Sequence, residues 1–204
     1  MSTLSKQKLS KRRAQAEAEA ARRRRLQAIG IAAGVVVVVV VAAIAVIAAR
    51  DSGQKPPATT AVAGVQTFTG LERTHVEGPV TYPQVPPVGG PHNPVWQNCG
   101  FYDQPVRNEN AVHSLEHGAV WITYRPDLPA DQVARLRQLG EESYVLVSPY
   151  PGLPAPVVVT AWGKQLRLQS TGDPELEQFI RTYRQGPDTP EPGAPCTQGI
   201  GSPR

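Results

Sequence analysis

Apart from Met1, the 204-residue chain has no methionine. That excludes a methionine-rich carrier of Cu(I), which depends on soft thioether ligands. Cysteine is almost missing as well: Cys99 and Cys196 are the two present. Histidine occurs four times, and none follows His117. The longest gap is in charge. Ala28 to Ala49, "AIGIAAGVVVVVVVAAIAVIAA", contains no ionisable residue.

A helix of that length spans roughly 33 Å, enough to cross a hydrocarbon core of about 30 Å. Helix is the state a lone span adopts in lipid, because every backbone polar group must be paired internally. The run is too long, and its leader too long, for a cleaved signal peptide. Residues Met1 to Gln27 hold nine Lys or Arg against two acids, with "RRRR" at Arg22 to Arg25. The positive-inside rule then places the N-terminus in the cytoplasm and the C-terminal domain outside the cell membrane, as a single-pass protein. The basic tail, residues 1–27, is expected either to lie on anionic headgroups of the bilayer or to remain a solvated topology signal.

The overall charge of +4 belongs to this tail. From Asp51 onward there are eleven basic and fifteen acidic residues, a net of −4. Nothing in the outer part supports nucleic-acid binding. Two cysteines in an oxidising compartment point to one disulfide, Cys99–Cys196, with free thiols or metal ligation by Cys99 as the alternatives.

Residues 50–66 are rich in small residues and proline and read as a flexible stalk. Residues 67–204 suit one domain, and they contain no internal repeat. Its first part, Thr67 to Asn108, is dense in Pro and Gly, which forbids a long helix or a central strand. It also carries Tyr82, Trp96, Phe101 and Tyr102, too many aromatics for a disordered linker. An ordered, irregular arm is expected.

From Glu109 the pattern becomes regular. Glu109 to His117 reads as a short helix stopped by Gly118. Ala119 to Tyr124 reads as a buried strand, Ala130 to Glu141 as a helix, and Tyr144 to Tyr150 and Pro156 to Trp162 as strands. "QLRLQS" follows a turn at Gly163-Lys164 as a half-buried strand. Asp173 to Gln185 is a helix with Asp173 as N-cap and Pro174 at its first position. The remaining tail is again irregular and returns Cys196 to the body. The fold class is α+β: a mixed sheet with packed helices and a Pro/Gly-rich arm, preceded by one transmembrane helix. One β-α-β crossover followed by a meander is expected, with ferredoxin-like and thioredoxin-like sheets both compatible. Trp96, Trp121 and Trp162 read as core.

The chemistry gathers in "ENAVHSLEHGAVWITY". His113-Ser114-Leu115-Glu116-His117 spells H-x-x-E-H, a pattern that some zinc peptidases carry on a helix. His113 and His117 are one helical turn apart and share a face; Glu109 extends the stripe by another turn. His92 sits in the shaped loop "GGPHNP", and His75 opens the arm. In a hydrolase, His113 and His117 would bind zinc and Glu116 would polarise a water. Gly118 argues against this by ending the helix, and no acidic third ligand follows on a second helix, since Glu175 and Glu177 read as surface residues. A metal site without catalysis needs His92, His113 and His117 to converge, with Glu109, Glu116 and His75 as further ligands. Imidazole and carboxylate suit Zn(II) or Cu(II). The plain alternative is a set of hydrogen-bonded histidines that dock a carbonyl-rich arm, in a metal-free module that assembles with membrane proteins.

Three strings, PPVGGPH at Pro86 to His92, CGFY at Cys99 to Tyr102 and VHSLEHG at Val112 to Gly118, resemble a bacterial, mainly actinobacterial, family of single-pass membrane proteins classed as a domain of unknown function. "SPYPGLPAPVVVTAWG" and "PEPGAPCTQG" resemble it too. The resemblance runs from about Gly70 to Gly199. It implies a cytoplasmic tail, one span and an external domain, and brings no established activity.

Overall fold

The computed structural model describes residues 62–204. The tail expected over 1–27, the span over 28–49 and the stalk up to residue 61 lie outside them. Among the described residues no helix is long and apolar enough to cross a membrane.

The elements are β1 (Gln66–Thr67), β2 (Gly100–Phe101), α1 (Asn108–Glu116), β3 (Val120–Tyr124), α2 (Ala130–Leu139), β4 (Val145–Pro149), β5 (Val157–Ala161), β6 (Lys164–Leu168) and α3 (Pro174–Tyr183). The fold is α+β with one mixed six-stranded sheet, ordered β1-β6-β5-β3-β4-β2. The folded body reaches back to Val62, which is buried in the core within the segment read as stalk.

The β-α-β crossover is present: β3 and β4 are parallel and joined by α2. The expected meander is only partly so. β5 does not pair with β4; it crosses to the free edge of β3 and runs antiparallel there, Trp121 opposite Thr160, and β6 then pairs with β5. A parallel pair excludes the antiparallel ferredoxin-like sheet. At the sheet edges β2 runs parallel to β4 and β1 antiparallel to β6.

Alternation along the strands splits the core between two faces. Val120, Ile122, Val145, Val147, Val157 and Val159 face Leu136 of α2 and Leu176, Phe179 and Ile180 of α3. Trp121 and Leu146 face Ala111 and Leu115 of α1. The central strands are buried on both sides, so they read as nearly continuous β-branched runs. Full burial of each such side chain stabilises the fold by about 1.5–3 kcal/mol.

Helix α1 is unusual in that Glu109 to Glu116 are all buried. One side meets the sheet, and the irregular arms cover the other. The first arm bonds to it through Asn93 N–H to Glu109 O (3.2 Å) and Gln97 N–H to Asn110 O (3.0 Å). The C-terminal arm does so through Glu191 N–H to Glu116 O (3.1 Å). Gly118, with φ +91°, ends the helix as expected; a Cβ there would collide with Gln185, whose side chain amide donates to His117 O. At α3 the expected cap is absent. Asp173 occupies the N-cap position, but its carboxylate accepts from Gln169 N–H (2.9 Å) and Ser170 N–H (3.2 Å) of the preceding turn.

Candidate metal centre

The two arms and α1 bring the histidines together. The arm folds back on itself between His75 and His92: Val76 N–H donates to His92 O (2.7 Å) and His92 N–H donates to Thr74 O (3.0 Å). Gly90, with φ +113°, turns the chain so that its own carbonyl accepts from the His92 ring at 2.8 Å. His92 is completely buried beneath Trp162, with ring centroids 5.8 Å apart. From α1, His113 and Glu116 project into the same space.

His75, His92, His113 and Glu116 place one ligand atom each within 4.8 Å of one another. The imidazole centroids of His75, His92 and His113 are each 4.9 Å apart. His92 Nε2 lies 2.8 Å from Glu116 Oε2, and His75 Nε2 lies 3.8 Å from the same oxygen. The His75 side chain is 47% exposed, whereas those of His92 and Glu116 are 0% and 2% exposed; the site therefore has one accessible ligand.

His117 and Glu109 take other places. His117 and His113 form a second group with Glu191, again within 4.8 Å, and His117 Nε2 is 3.4 Å from Glu191 Oε2. Glu109 joins neither group. Its carboxylate accepts from Val80 N–H (2.8 Å) and Arg107 Nε (3.0 Å). Burial by itself would raise the Glu109 pKa, but these two partners outweigh it and hold the carboxyl below its usual range. The line of three along α1 is thus broken, because Glu109 serves the arm.

The tautomers follow from the hydrogen bonds. His92, His113 and His117 each direct Nδ1 at a backbone carbonyl: Gly90 O at 2.8 Å, Asn93 O at 2.7 Å and Pro195 O at 2.7 Å. A carbonyl only accepts, so each Nδ1 carries the proton and each Nε2 is left to face the cluster. Metal-ligating histidines are oriented in this way by an outer carbonyl or carboxylate. At His92, Nε2 lies 2.8 Å from Glu116 Oε2, within hydrogen-bond reach.

Burial lowers the His113 pKa to about 4, and the neighbouring rings of His117, His92 and His75 add to the effect, against the Asn93 carbonyl. The neutral imidazole that a metal ion needs is therefore already present at mildly acidic pH. In the metal-free protein the sign is fixed. Between pH 6.5 and 4 the unfolded chain takes up a proton at His113 that the folded chain refuses. The His113 contribution to stability is therefore full above pH 6.5 and is lost as pH drops towards 4, by up to about 1.4 kcal/mol per unit. Denaturant titrations of chelated protein over this range will show that slope, and His113→Asn will flatten it; an identical slope in the variant would refute the assignment.

The three tryptophans divide. Trp121 is core, with no exposed surface. Trp162 is partly buried, packing against that core and on His92, while Trp96 is partly buried and lines the histidines, 5.7 Å from His113 and 4.9 Å from His117. Glu191 had no signal in the sequence, since its approach to His117 depends on how the C-terminal arm folds. Glu177 is a surface residue as expected, paired with Arg135 (2.8 Å) and Arg181 (3.4 Å). The disulfide joins Cys99 to Cys196, and Cys99 N–H donates to Cys196 O (2.8 Å), which excludes Cys99 as a metal ligand here.

Fold and site together define an α+β domain, stapled by one disulfide, with a largely buried histidine–glutamate cluster, open at His75, between a helix and the irregular arms. Residues 75–198 match the family described as Protein of unknown function (DUF3105), and the chain belongs to that family. No curated protein and no solved structure matches it.

Proposed function

We propose that this is a membrane-anchored protein, N-terminus in the cytoplasm, whose extracytoplasmic domain binds a transition-metal ion at His75, His92, His113 and Glu116. The apolar run over 28–49 and the basic residues before it support the anchor and its contact with lipid headgroups. The bacterial, single-pass family outlined by the sequence strings fits the same layout. The observation that carries the metal reading is that His92 and His113 tie Nδ1 to backbone carbonyls, which leaves Nε2 as the ligand atom, in a cluster whose four ligand atoms lie within 4.8 Å of one another. Three imidazoles and a carboxylate suit Zn(II) or Cu(II). They fit the ion as a donor set, and Glu116 is committed to His92, which favours a ligand role over that of a general base in a hydrolase.

A metal-free module that assembles with membrane proteins is favoured by one observation. The Nδ1 atoms of His92, His113 and His117 already have their carbonyls, so the helix and arms close together without an ion. Elemental analysis separates the two. The full-length chain, exported in an oxidising compartment, purified in detergent and kept from chelators, is expected to carry about one Zn or Cu per chain. His113→Ala is expected to carry almost none. Near-zero metal in the unaltered protein would refute the binding reading and leave the interaction module.

A further inference from the structure

His113 belongs to both histidine groups, and its position has a consequence. Its Nδ1 is held by Asn93 O at 2.7 Å, so it has a single free lone pair, on Nε2. One lone pair serves one ion at a time. The ring also lies next to both sets: 4.9 Å from His92 and His75 on one side, and 4.5 Å from His117 on the other.

The second group is built as a site in its own right. His117 is 3% exposed, with Nδ1 fixed to Pro195 O and Nε2 turned to Glu191. Glu191 is held by its own backbone, which donates to the carbonyl of Glu116 (3.1 Å). The arm that carries it is pinned by the Cys99–Cys196 disulfide, and by Gln185, which accepts from Gly193 N–H (2.9 Å) while its amide reaches His117 O. The Trp96 ring packs over both His113 and His117. Each seat has one half-exposed ligand at its edge: His75 at 47% for the first, Glu191 at 50% for the second.

We infer that His113, His117 and Glu191 form a second, outer seat for the same divalent ion, and that one ion passes between the two seats through His113. The inner seat is the site proposed above, and the exchange depends on it. Transfer is ligand substitution: bonds to His117 and Glu191 break as bonds to His92 and Glu116 form, with no change of oxidation state. A half-exposed ligand on each seat and a buried shared ligand between them suit an ion in transit, where a closed structural site would have no exposed edge.

Zn(II) alone is the probe, on the full-length chain in detergent. The unaltered protein is expected to bind about one equivalent. Removing the inner imidazoles with His75→Ala and His92→Ala together should leave about one equivalent bound about tenfold more weakly, and adding Glu191→Gln should abolish it. Glu191→Gln alone should slow Zn(II) release to a chelator about fivefold. Release at the unaltered rate would overturn the exchange and leave the inner site standing, even if the inner double variant fails to fold. Two equivalents on the unaltered protein would overturn the shared ligand. No Zn(II) at all would instead remove the inner site.

Discussion

Replacing His92 with alanine is expected to lower metal affinity about tenfold, to that of the outer seat, and to destabilise the metal-free domain by about 3–5 kcal/mol. The first effect follows from losing a ligand whose ring is pre-aimed by Gly90 O. The second does not depend on metal. Glu116 is 1% exposed, and His92 Nε2, at 2.8 Å, is its close partner; His75, the next, is at 3.8 Å and half in solvent. Without His92 the carboxylate is left buried beside a cavity. Breaking a buried pair from one side is severe because the remaining charge keeps no close partner and is shielded from water. The midpoint of thermal unfolding should fall by about 10–20 °C. Glu116→Gln in the same background should restore part of the loss, since it removes the stranded charge. A drop of less than about 1 kcal/mol for His92→Ala would mean that the pair contributes little.

Converting both cysteines to serine is expected to destabilise the domain by about 4–5 kcal/mol, read as a lower urea midpoint, with a matching loss in unaltered protein treated with reductant. Cys99 and Cys196 are 97 residues apart, so the bond removes a great deal of freedom from the unfolded chain. The crosslink also has a local role. It ties the C-terminal arm to the strand edge just before Gly100, and the same arm supplies Pro195 O to the His117 ring and Glu191 to its Nε2. Loss of stability with full retention of the His117 environment, judged by its ring resonances, would show that the arm docks without the disulfide.

Much of this domain was legible locally. Helices α1, α2 and α3 and strands β3 to β6 fall within a residue or two of where periodicity, prolines and glycines put them, because those signals act over a few residues. The strand order was not. β5 leaves β4 and lies on the far side of β3, and nothing in "PVVVTAW" distinguishes the two edges, since it is apolar on both faces. Asp173 shows the same limit at small scale. Its place before Pro174 is that of a cap, yet its carboxylate turns back to Gln169 and Ser170, where two N–H groups compete for it.

The candidate site divides along the same line. Sequence alone established that the chemistry lies in four histidines gathered before Gly118, that His113 and His117 share a helical face, and that two cysteines in the outer part can close one bond. Only the tertiary structure decided that His75 and His92 reach the inner cluster while His117 turns to Glu191. It also decided that Glu109 is drawn away by Val80 and Arg107. The reason is physical. A helix fixes the direction of its own side chains, but partners from arms 20 to 80 residues away arrive by backbone bonds to α1, such as Asn93 N–H to Glu109 O and Glu191 N–H to Glu116 O, and such bonds carry no signature of side-chain type.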